Sequence, residues 1–220
     1  TVLGEILNIS GDSVTALLFS PCDAIRIGDP VQIEQEARIE PGDHWLGKII
    51  NYRGDITTGD TAPPATRLIP RRLHAAPLPA HARRGIGPRL PSGWMVTDTV
   101  LPICQGQRLG LFAGSGVGKS TFLGSLAAGM QADRVVIALI GERSREVNDF
   151  VRNVLPQSIL CKTVIVAATA SEPPGAKKRA AYCAMAAAEH FRGPQCLSPF
   201  NGPCDCGAGR EGRARNGRQR

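Results

Sequence analysis

The chain has 220 residues, of which 42% are apolar and 20% charged, as in an ordinary globular protein. This composition excludes a collagen-like repeat and a chain that is disordered throughout, and no apolar run reaches the roughly 18–20 residues that a membrane-spanning helix needs. The net charge is +7, but residues 191–220 hold six Arg against two acids, so the rest is only mildly basic and we predict no specific nucleic-acid partner.

Residues 1–39 alternate short apolar runs with turn residues. The runs are residues 1–7, 13–19 and 30–33. Short strands at this spacing are typical of a small β barrel or sheet, so we predict part of an N-terminal β-barrel domain here. The chain starts at Thr1 inside the first run and shows no basic region followed by an apolar stretch, so we predict no secretory signal.

Residues 40–93 are expected to form a connector that lies over the surface. Between Ala62 and Gly93 there are seven Pro, six Arg and no acid. Proline lacks a backbone donor and sustains neither a helix nor a central strand. The arginines could follow a nucleic-acid strand, but no aromatic residues are interleaved for base stacking. We favour a structural arm whose arginines pair with neighbouring acids.

Residues 94–192 have the regular texture of an α/β domain. Strands are predicted at 108–112, 135–140 and 163–169, and helices at 119–130, 144–155 and 176–192. The run 135–140 is continuously apolar, as in a strand buried on both faces. In the last helix, Ala181, Met185 and Ala188 share one stripe. Strands that alternate with helices predict a doubly wound parallel sheet.

Residues 193–220 have no periodicity and are rich in Gly, Pro and Arg, so we predict a disordered basic tail. The tail holds three of the seven cysteines, which are Cys22, Cys104, Cys161, Cys183, Cys196, Cys204 and Cys206. An odd number without a secretory signal indicates free thiols in a reducing cytoplasm. Cys196, Cys204 and Cys206 with His190 contain no C-x2-C pair, so we do not predict a zinc site.

A glycine-rich stretch links the first strand of the α/β domain to its first helix. It matches the phosphate-binding pattern G-x-x-x-x-G-K-[ST] except at Ala113. Glycines let backbone N–H groups converge on phosphate oxygens, Lys119 reaches the β and γ phosphates, and the Ser120 hydroxyl ligates Mg²⁺. The predicted ATP-binding residues are Ala113, Gly114, Ser115, Gly116, Val117, Gly118, Lys119, Ser120 and Thr121.

Hydrolysis also needs a group that orients water. Glu142 and Arg143 follow the apolar run 135–140, and ligands of open α/β sheets bind beyond the carboxyl ends of the strands. Glu142 could accept a proton from the attacking water, and Arg143 could stabilise developing charge. Alternatively, Glu142 supports a helix N-terminus and Arg143 makes a surface ion pair.

These segments together resemble the flagellar export ATPases, also called flagellum-specific ATP synthases. That family belongs with the type III secretion ATPases and is similar to the catalytic subunit of rotary ATP synthases. The resemblance spans about residues 1–192 and rests on FAGSGVGKS (112–120) beside GERSREV (141–147). It extends to LHAAPLPAHARR (73–84), GQRLG (106–110), AAY (180–182) and AEHFR (188–192), and Ala at the first P-loop position is usual in the family.

The resemblance implies a RecA-like core behind a β-barrel domain, and a cytoplasmic homohexamer with ATP at its subunit boundaries. It also implies hydrolysis of Mg²⁺-bound ATP that energises protein export, with peripheral attachment to the export apparatus and its substrates at the inner face of the bacterial membrane. Lys119 and Ser120 then hold phosphate and Mg²⁺, Glu142 is the catalytic carboxylate and Arg143 supports it.

The chain departs from the family pattern after Arg192. The family continues with an apolar strand ending in Asp-Ser, whereas GPQCLS follows here, so we expect a truncation or a reading-frame shift and an impaired ATPase. Three alternatives stay open: a non-catalytic nucleotide-binding remnant, a RecA-like hexameric RNA helicase and the ATP synthase subunit itself. The helicase is disfavoured because no aromatic-rich RNA-binding module precedes the core, and residues 73–84 argue against the synthase subunit.

Overall fold

The computed structural model describes residues 2–19, 25–33, 37–59, 68–77, 79–83, 85–114 and 116–192. The predicted tail 193–220, and with it Cys196, Cys204 and Cys206, lies outside the described residues, as does Cys22. The strands are β1 Gly4–Ser10, β2 Ser13–Leu18, β3 Arg38–Ile39, β4 Ile49–Ile50, β5 Arg71–Arg72, β6 Arg89–Leu90, β7 Ile103–Cys104, β8 Val135–Glu142 and β9 Thr163–Thr169. The helices are α1 Met95–Thr99, α2 Lys119–Gly129, α3 Ser144–Asp149, α4 Gln157–Leu160 and α5 Pro174–Arg192, with 3₁₀ turns at Asp43–Trp45 and Ala80–Ala82 and a π-helix at Phe150–Val154, called here the π-turn.

A parallel sheet with the strand order β4-β9-β8 carries the core. The central strand β9 is β-branched and buried, and its side chains alternate between the two faces of the sheet. Val164 and Val166 pack in a cluster with α5, whereas Ile165 packs with the π-turn and residues of α2 and α4. Helices on both faces cover a parallel sheet. The predicted α/β class is therefore confirmed.

Strand β4 corrects the prediction that residues 40–93 form only a surface connector. Ile49 pairs with Ile165 in parallel register, and Ile50 and Trp45 are buried in the same cluster as β9. A two-residue strand has no period of its own, so the sequence pattern could not show it. Its position is decided by the neighbouring strand.

Two features of the α/β domain differ from the sequence prediction. Residues 108–112 are not a strand, and Leu109, Leu111 and Phe112 are exposed. No strand of the described segments lies beside them to pair their backbone groups, which is what a strand requires. Strand β8 forms as predicted but is only half-buried, because it is an edge of the described sheet.

Helix α5 does not bury the stripe of Ala181, Met185 and Ala188 that the sequence pattern singles out. Ala180, Cys183 and Ala187 are fully buried against the sheet, whereas Met185 is exposed. Small side chains let the helix approach the sheet closely, so the larger Met185 faces outward. Burial raises the pKa of the Cys183 thiol to about 12. None of the described helices combines the length and the apolar character needed to cross a bilayer.

The N-terminal segment forms a hairpin. Strands β1 and β2 pair in antiparallel register, as predicted for residues 1–7 and 13–19. The third predicted strand, 30–33, is wrong: Val31 and Ile33 are exposed, Pro30 lacks a donor, and no described strand pairs with them. The barrel domain stays a prediction.

The hairpin is attached to α5 through polar and aromatic contacts. Lys178 Nζ lies 3.0 Å from Glu5 Oε1, and the Arg179 guanidinium lies 5.2 Å from the ring centre of buried Phe19. In the proline-rich segment, Arg89 forms an ion pair with Asp98 at 3.8 Å, as expected of a structural arm.

Two histidines lie near the carboxyl end of α5. His44 belongs to the first 3₁₀ turn and His190 to the last turn of α5. Burial lowers the pKa of both, and Arg71 on β5 lowers that of His190 further. Nearby Asp43 opposes these shifts only partly. Both imidazoles are therefore disposed to remain neutral in the folded chain.

We expect the folded chain to lose stability on mild acidification. Unfolded histidines take up protons near pH 6.5, whereas His44 and His190 resist protonation in the folded state. Their contribution is thus complete above pH 6.5 and is lost as the pH falls below that value toward the lowered pKa values. Thermal unfolding followed between pH 7.5 and 5.0 should show a falling Tm. A His44→Gln/His190→Gln variant should show a shallower fall, and an equal slope in both proteins would contradict the assignment.

Candidate active site

The predicted phosphate-binding loop leads directly into α2. Gly118 adopts a left-handed conformation, with φ +92° and ψ 20°, and α2 begins at the next residue. The first helical hydrogen bond runs from the Phe122 N–H to the Gly118 carbonyl at 2.9 Å. The earlier N–H groups of the helix are left to face a ligand, and the positive end of the helix dipole favours an anion there. Lys119 and Ser120 are exposed at this end.

Glu142 is the last residue of β8 and follows an irregularity in the strand. Gly141 has φ +81°, and the register with β9 shifts between Ile140 and Glu142. The Ala170 N–H donates to the Glu142 carbonyl at 2.9 Å, which holds the backbone at this point. A bulge of this kind bends a strand and redirects its side chains. The bulge therefore brings Glu142 to the edge of the cavity described next.

One cavity of about 470 Å³ joins the phosphate-binding loop to the end of β8. The predicted site residues that line it are Gly114, Gly116, Gly118, Lys119, Ser120, Thr121 and Glu142. Ala113, Val117 and Arg143 do not line it, and Ser115 lies outside the described residues. The fold thus brings the two sequence motifs to one site, although they are far apart in the chain.

Arg143 does not line this cavity, although its ion-pair partner Glu146 does. Arg143 is the N-cap residue of α3, its side chain is 67% exposed, and its Nε atom lies 3.9 Å from Glu146 Oε1. The surface ion pair considered from the sequence is thus present. A role of Arg143 in catalysis stays a prediction.

Two acidic residues that the sequence analysis did not select also line the cavity. Glu146 lies on α3, and Asp149 is its last residue, just before the π-turn. Glu146 and Asp149 are three residues apart on α3, which places both side chains on one face of that helix. This spacing in the sequence could have identified both residues as candidates for the site.

The donor chemistry of the cavity fits Mg²⁺. Hydroxyl and carboxylate oxygens are the ligands that this ion prefers, and the cavity wall offers Ser120 together with Glu142, Glu146 and Asp149. Within the described ranges, no group of three or more His, Cys, Asp or Glu is arranged so that it could hold a metal ion by itself. An open arrangement is what Mg²⁺ uses when water and substrate phosphates complete its shell.

Comparison with known proteins supports an ATPase relationship. Residues 93–196 match the ATP synthase alpha/beta family, nucleotide-binding domain. The chain is 39% identical over 189 residues to the flagellum-specific ATP synthase of Caulobacter vibrioides, covering 86% of this chain and 42% of that protein. It is 34% identical over 196 residues to the type 3 secretion system ATPase of Pseudomonas syringae pv. syringae, covering 87% of this chain and 44% of that protein.

A solved structure of similar fold is the assembled ATPase EscN in complex with its central stalk EscO, from the type III secretion system of enteropathogenic E. coli. The TM-score is 0.78 at 38% sequence identity, over 87% of this chain and 47% of the EscN chain. The chain spans less than half the length of the relatives it matches.

Proposed function

Because the chain is a homologue of flagellum-specific ATP synthases and type III secretion ATPases, we propose that it binds Mg²⁺-bound ATP in the cavity between the phosphate-binding loop and the end of β8. The observation that carries this proposal is the meeting of Lys119 and Ser120 with Glu142 around one cavity. The family relationship predicted from the sequence is confirmed, whereas the roles of the individual residues are part of the proposal.

The phosphates bind at the amino end of α2. Backbone N–H groups around Gly116 and Gly118 donate to phosphate oxygens, and the Lys119 ammonium offsets their charge. Ser120 is the protein ligand of Mg²⁺, with Thr121 toward the α phosphate. Bound there, Mg²⁺ would offset the negative charge on the triphosphate.

Hydrolysis of ATP depends on Glu142. Glu142 lines the same cavity as the first residues of α2, and there its carboxylate orients a water molecule and accepts its proton. Arg143 contributes positive charge near the γ phosphate if its ion pair with Glu146 opens on binding. We expect turnover by this chain to be slow, because GPQCLS follows Arg192 where the family pattern has an apolar segment ending in Asp-Ser that supports the metal.

The proposed role of this site is to energise the export of flagellar or other type III substrates. The proposed setting is a homohexamer associated peripherally with the export apparatus, by analogy with the assembled EscN and its stalk. The homologues are ATP synthases and ATPases by name, which disfavours the RNA-helicase alternative. A non-catalytic nucleotide-binding module is the second candidate, favoured by the exposed and unpaired segment 108–112 that precedes the loop.

Two assays on the purified chain test the proposal. Titration with a fluorescent ATP analogue in the presence of Mg²⁺ should show saturable binding that unlabelled ATP displaces. A phosphate-release assay on the same sample separates an enzyme from a binding module. Release that Mg²⁺ stimulates supports the ATPase, and binding without release supports the module. The absence of both binding and release would refute the proposed site.

A further inference from the structure

Helix α2 approaches the π-turn more closely than a side chain permits. Gly124 is buried at this contact. A Cβ atom added to Gly124 would lie 2.5 Å from Val154 Cγ1 and 3.1 Å from the Val154 carbonyl oxygen. Ordinary van der Waals contact begins near 3.4 Å, so an alanine here is about 1 Å too close to Val154.

The π-turn has little freedom to retreat from such a clash. Phe150, its first residue, and Leu155, which directly follows it, are each 4% exposed in the core against β9. The Leu155 N–H donates to the Phe150 carbonyl at 2.9 Å. Val154 is β-branched, and residues of this type are stiff in helical backbone. A π-turn inside a helix is rare and often marks a functional site. The displacement would therefore fall mainly on α2.

The carboxyl end of α2 is held by a second close contact. A Cβ atom at Gly129 would lie 2.0 Å from the carbonyl oxygen of Ser92, which is itself fully buried. At the other end, the loop leading into Lys119 is exposed. A push at Gly124 would thus swing the helix about Gly129. Gly124 lies midway between Gly129 and Lys119 along α2. In a rigid helix that pivots at Gly129, a shift of about 1 Å at Gly124 therefore becomes about 2 Å at Lys119.

The two partners of the Gly124 contact belong to two segments that both line the cavity. Lys119 and Ser120 lie one helical turn before Gly124, and Val154 itself lines the cavity together with Asp149 and Glu146 of the adjoining helix. The distance between the start of α2 and the segment with Val154 therefore depends on the contact between Gly124 and Val154.

We propose that Gly124 is a positioning residue. Through its contact with Val154, it fixes the distance between the phosphate-binding end of α2 and the part of the cavity wall that carries Glu146 and Asp149. The inference rests on the proposed function, because the ligand that needs this distance is Mg²⁺-bound ATP. It goes beyond that function in assigning a role to a residue that does not touch the ligand.

The test compares Gly124→Ala, Val154→Ala, the double variant and Gly175→Ala. Gly175 is a matched control: it is a buried helical glycine whose added Cβ would meet Leu17 Cδ2 at 2.8 Å, in the hairpin contact and not at the cavity. The measurements are the dissociation constant of a fluorescent ATP analogue with Mg²⁺, taken well below the Tm, and the Tm itself.

We expect Gly124→Ala to weaken binding by about tenfold to a hundredfold, the scale on which 1 Å misplacements act. Gly175→Ala should lower the Tm and leave the dissociation constant unchanged. Val154→Ala removes the atom that is struck first, so the double variant should bind nearly as well as Val154→Ala alone. If Gly124→Ala does not fold, the double variant should recover folding.

The inference would be overturned if Gly124→Ala had the same dissociation constant as the parent and a higher Tm, because alanine is the better helix former. It would also be overturned by a double variant that is as impaired as Gly124→Ala. If the parent chain itself binds no nucleotide, the proposed function fails. The positioning role is then tested separately by hydrogen exchange of the Phe122 amide, in the first turn of α2. Faster exchange in Gly124→Ala that the double variant reverses supports the positioning role, and unchanged exchange refutes it.

Discussion

Lys119→Ala should remove most of the affinity for Mg²⁺-bound ATP and leave the fold intact. Lys119 is exposed at the first position of α2, so its loss costs few packing contacts. Its ammonium is the positive side chain of the cavity wall that faces the phosphates. A hydrogen bond between charged partners contributes about 1.5–3 kcal/mol, which corresponds to roughly 10- to 100-fold in the dissociation constant. Titration with a fluorescent ATP analogue measures this change.

Lys178→Ala is the matched control for that experiment. It removes the same charge from the chain but breaks only the ion pair with Glu5 that links α5 to the hairpin. We expect its nucleotide affinity to equal that of the parent. Equal affinity in Lys119→Ala and Lys178→Ala would mean that the glycine-rich loop is not the phosphate site.

Glu142→Gln should abolish turnover without abolishing binding. The experiment belongs in a full-length relative, at the position that matches Glu142, because turnover of the complete protein is measurable there. The amide keeps the shape of the carboxylate but cannot accept a proton from water. General-base catalysis contributes typically 10²- to 10⁴-fold, so kcat should fall by about that factor while the nucleotide dissociation constant changes little. Steady-state phosphate release measures kcat, and equilibrium titration measures the dissociation constant.

A second Glu→Gln variant controls for the loss of negative charge. Glu189 lies on the exposed side of α5, away from the cavity. Its replacement at the matching position should leave kcat unchanged. A kcat within a factor of a few of the parent in Glu142→Gln would mean that Glu142 has a structural role and that another group activates water.

Much of the candidate site could be predicted because its parts are local. The phosphate-binding loop is defined by consecutive residues, and the helix after it follows from apolar spacing within one segment. The strand β9 and helix α5 are similarly long and periodic, and their predicted positions agree with the structure within two residues at each end. Glu142 could be selected because the residue after a buried parallel strand lies at the ligand-binding edge of the sheet.

Other features depended on partners that are distant in the chain. β4 becomes a strand only because β9 lies beside it, and residues 108–112 form none because no described strand lies beside them. The face that α5 buries depends on how closely its small side chains can approach the sheet. Side-chain hydrophobicity alone would favour the stripe with Met185, which is exposed.

The sequence by itself determined the α/β class, the phosphate-binding loop and the carboxylate at the end of β8, since each depends on a pattern within one segment. Only the tertiary structure decided that Glu142 lines the cavity next to the irregularity at Gly141, that Glu146 and Asp149 join its wall, and that Gly124 packs closely against Val154. These are distances between segments. They arise from packing of a helix against a neighbouring turn and of a strand against its partner, which no local pattern encodes.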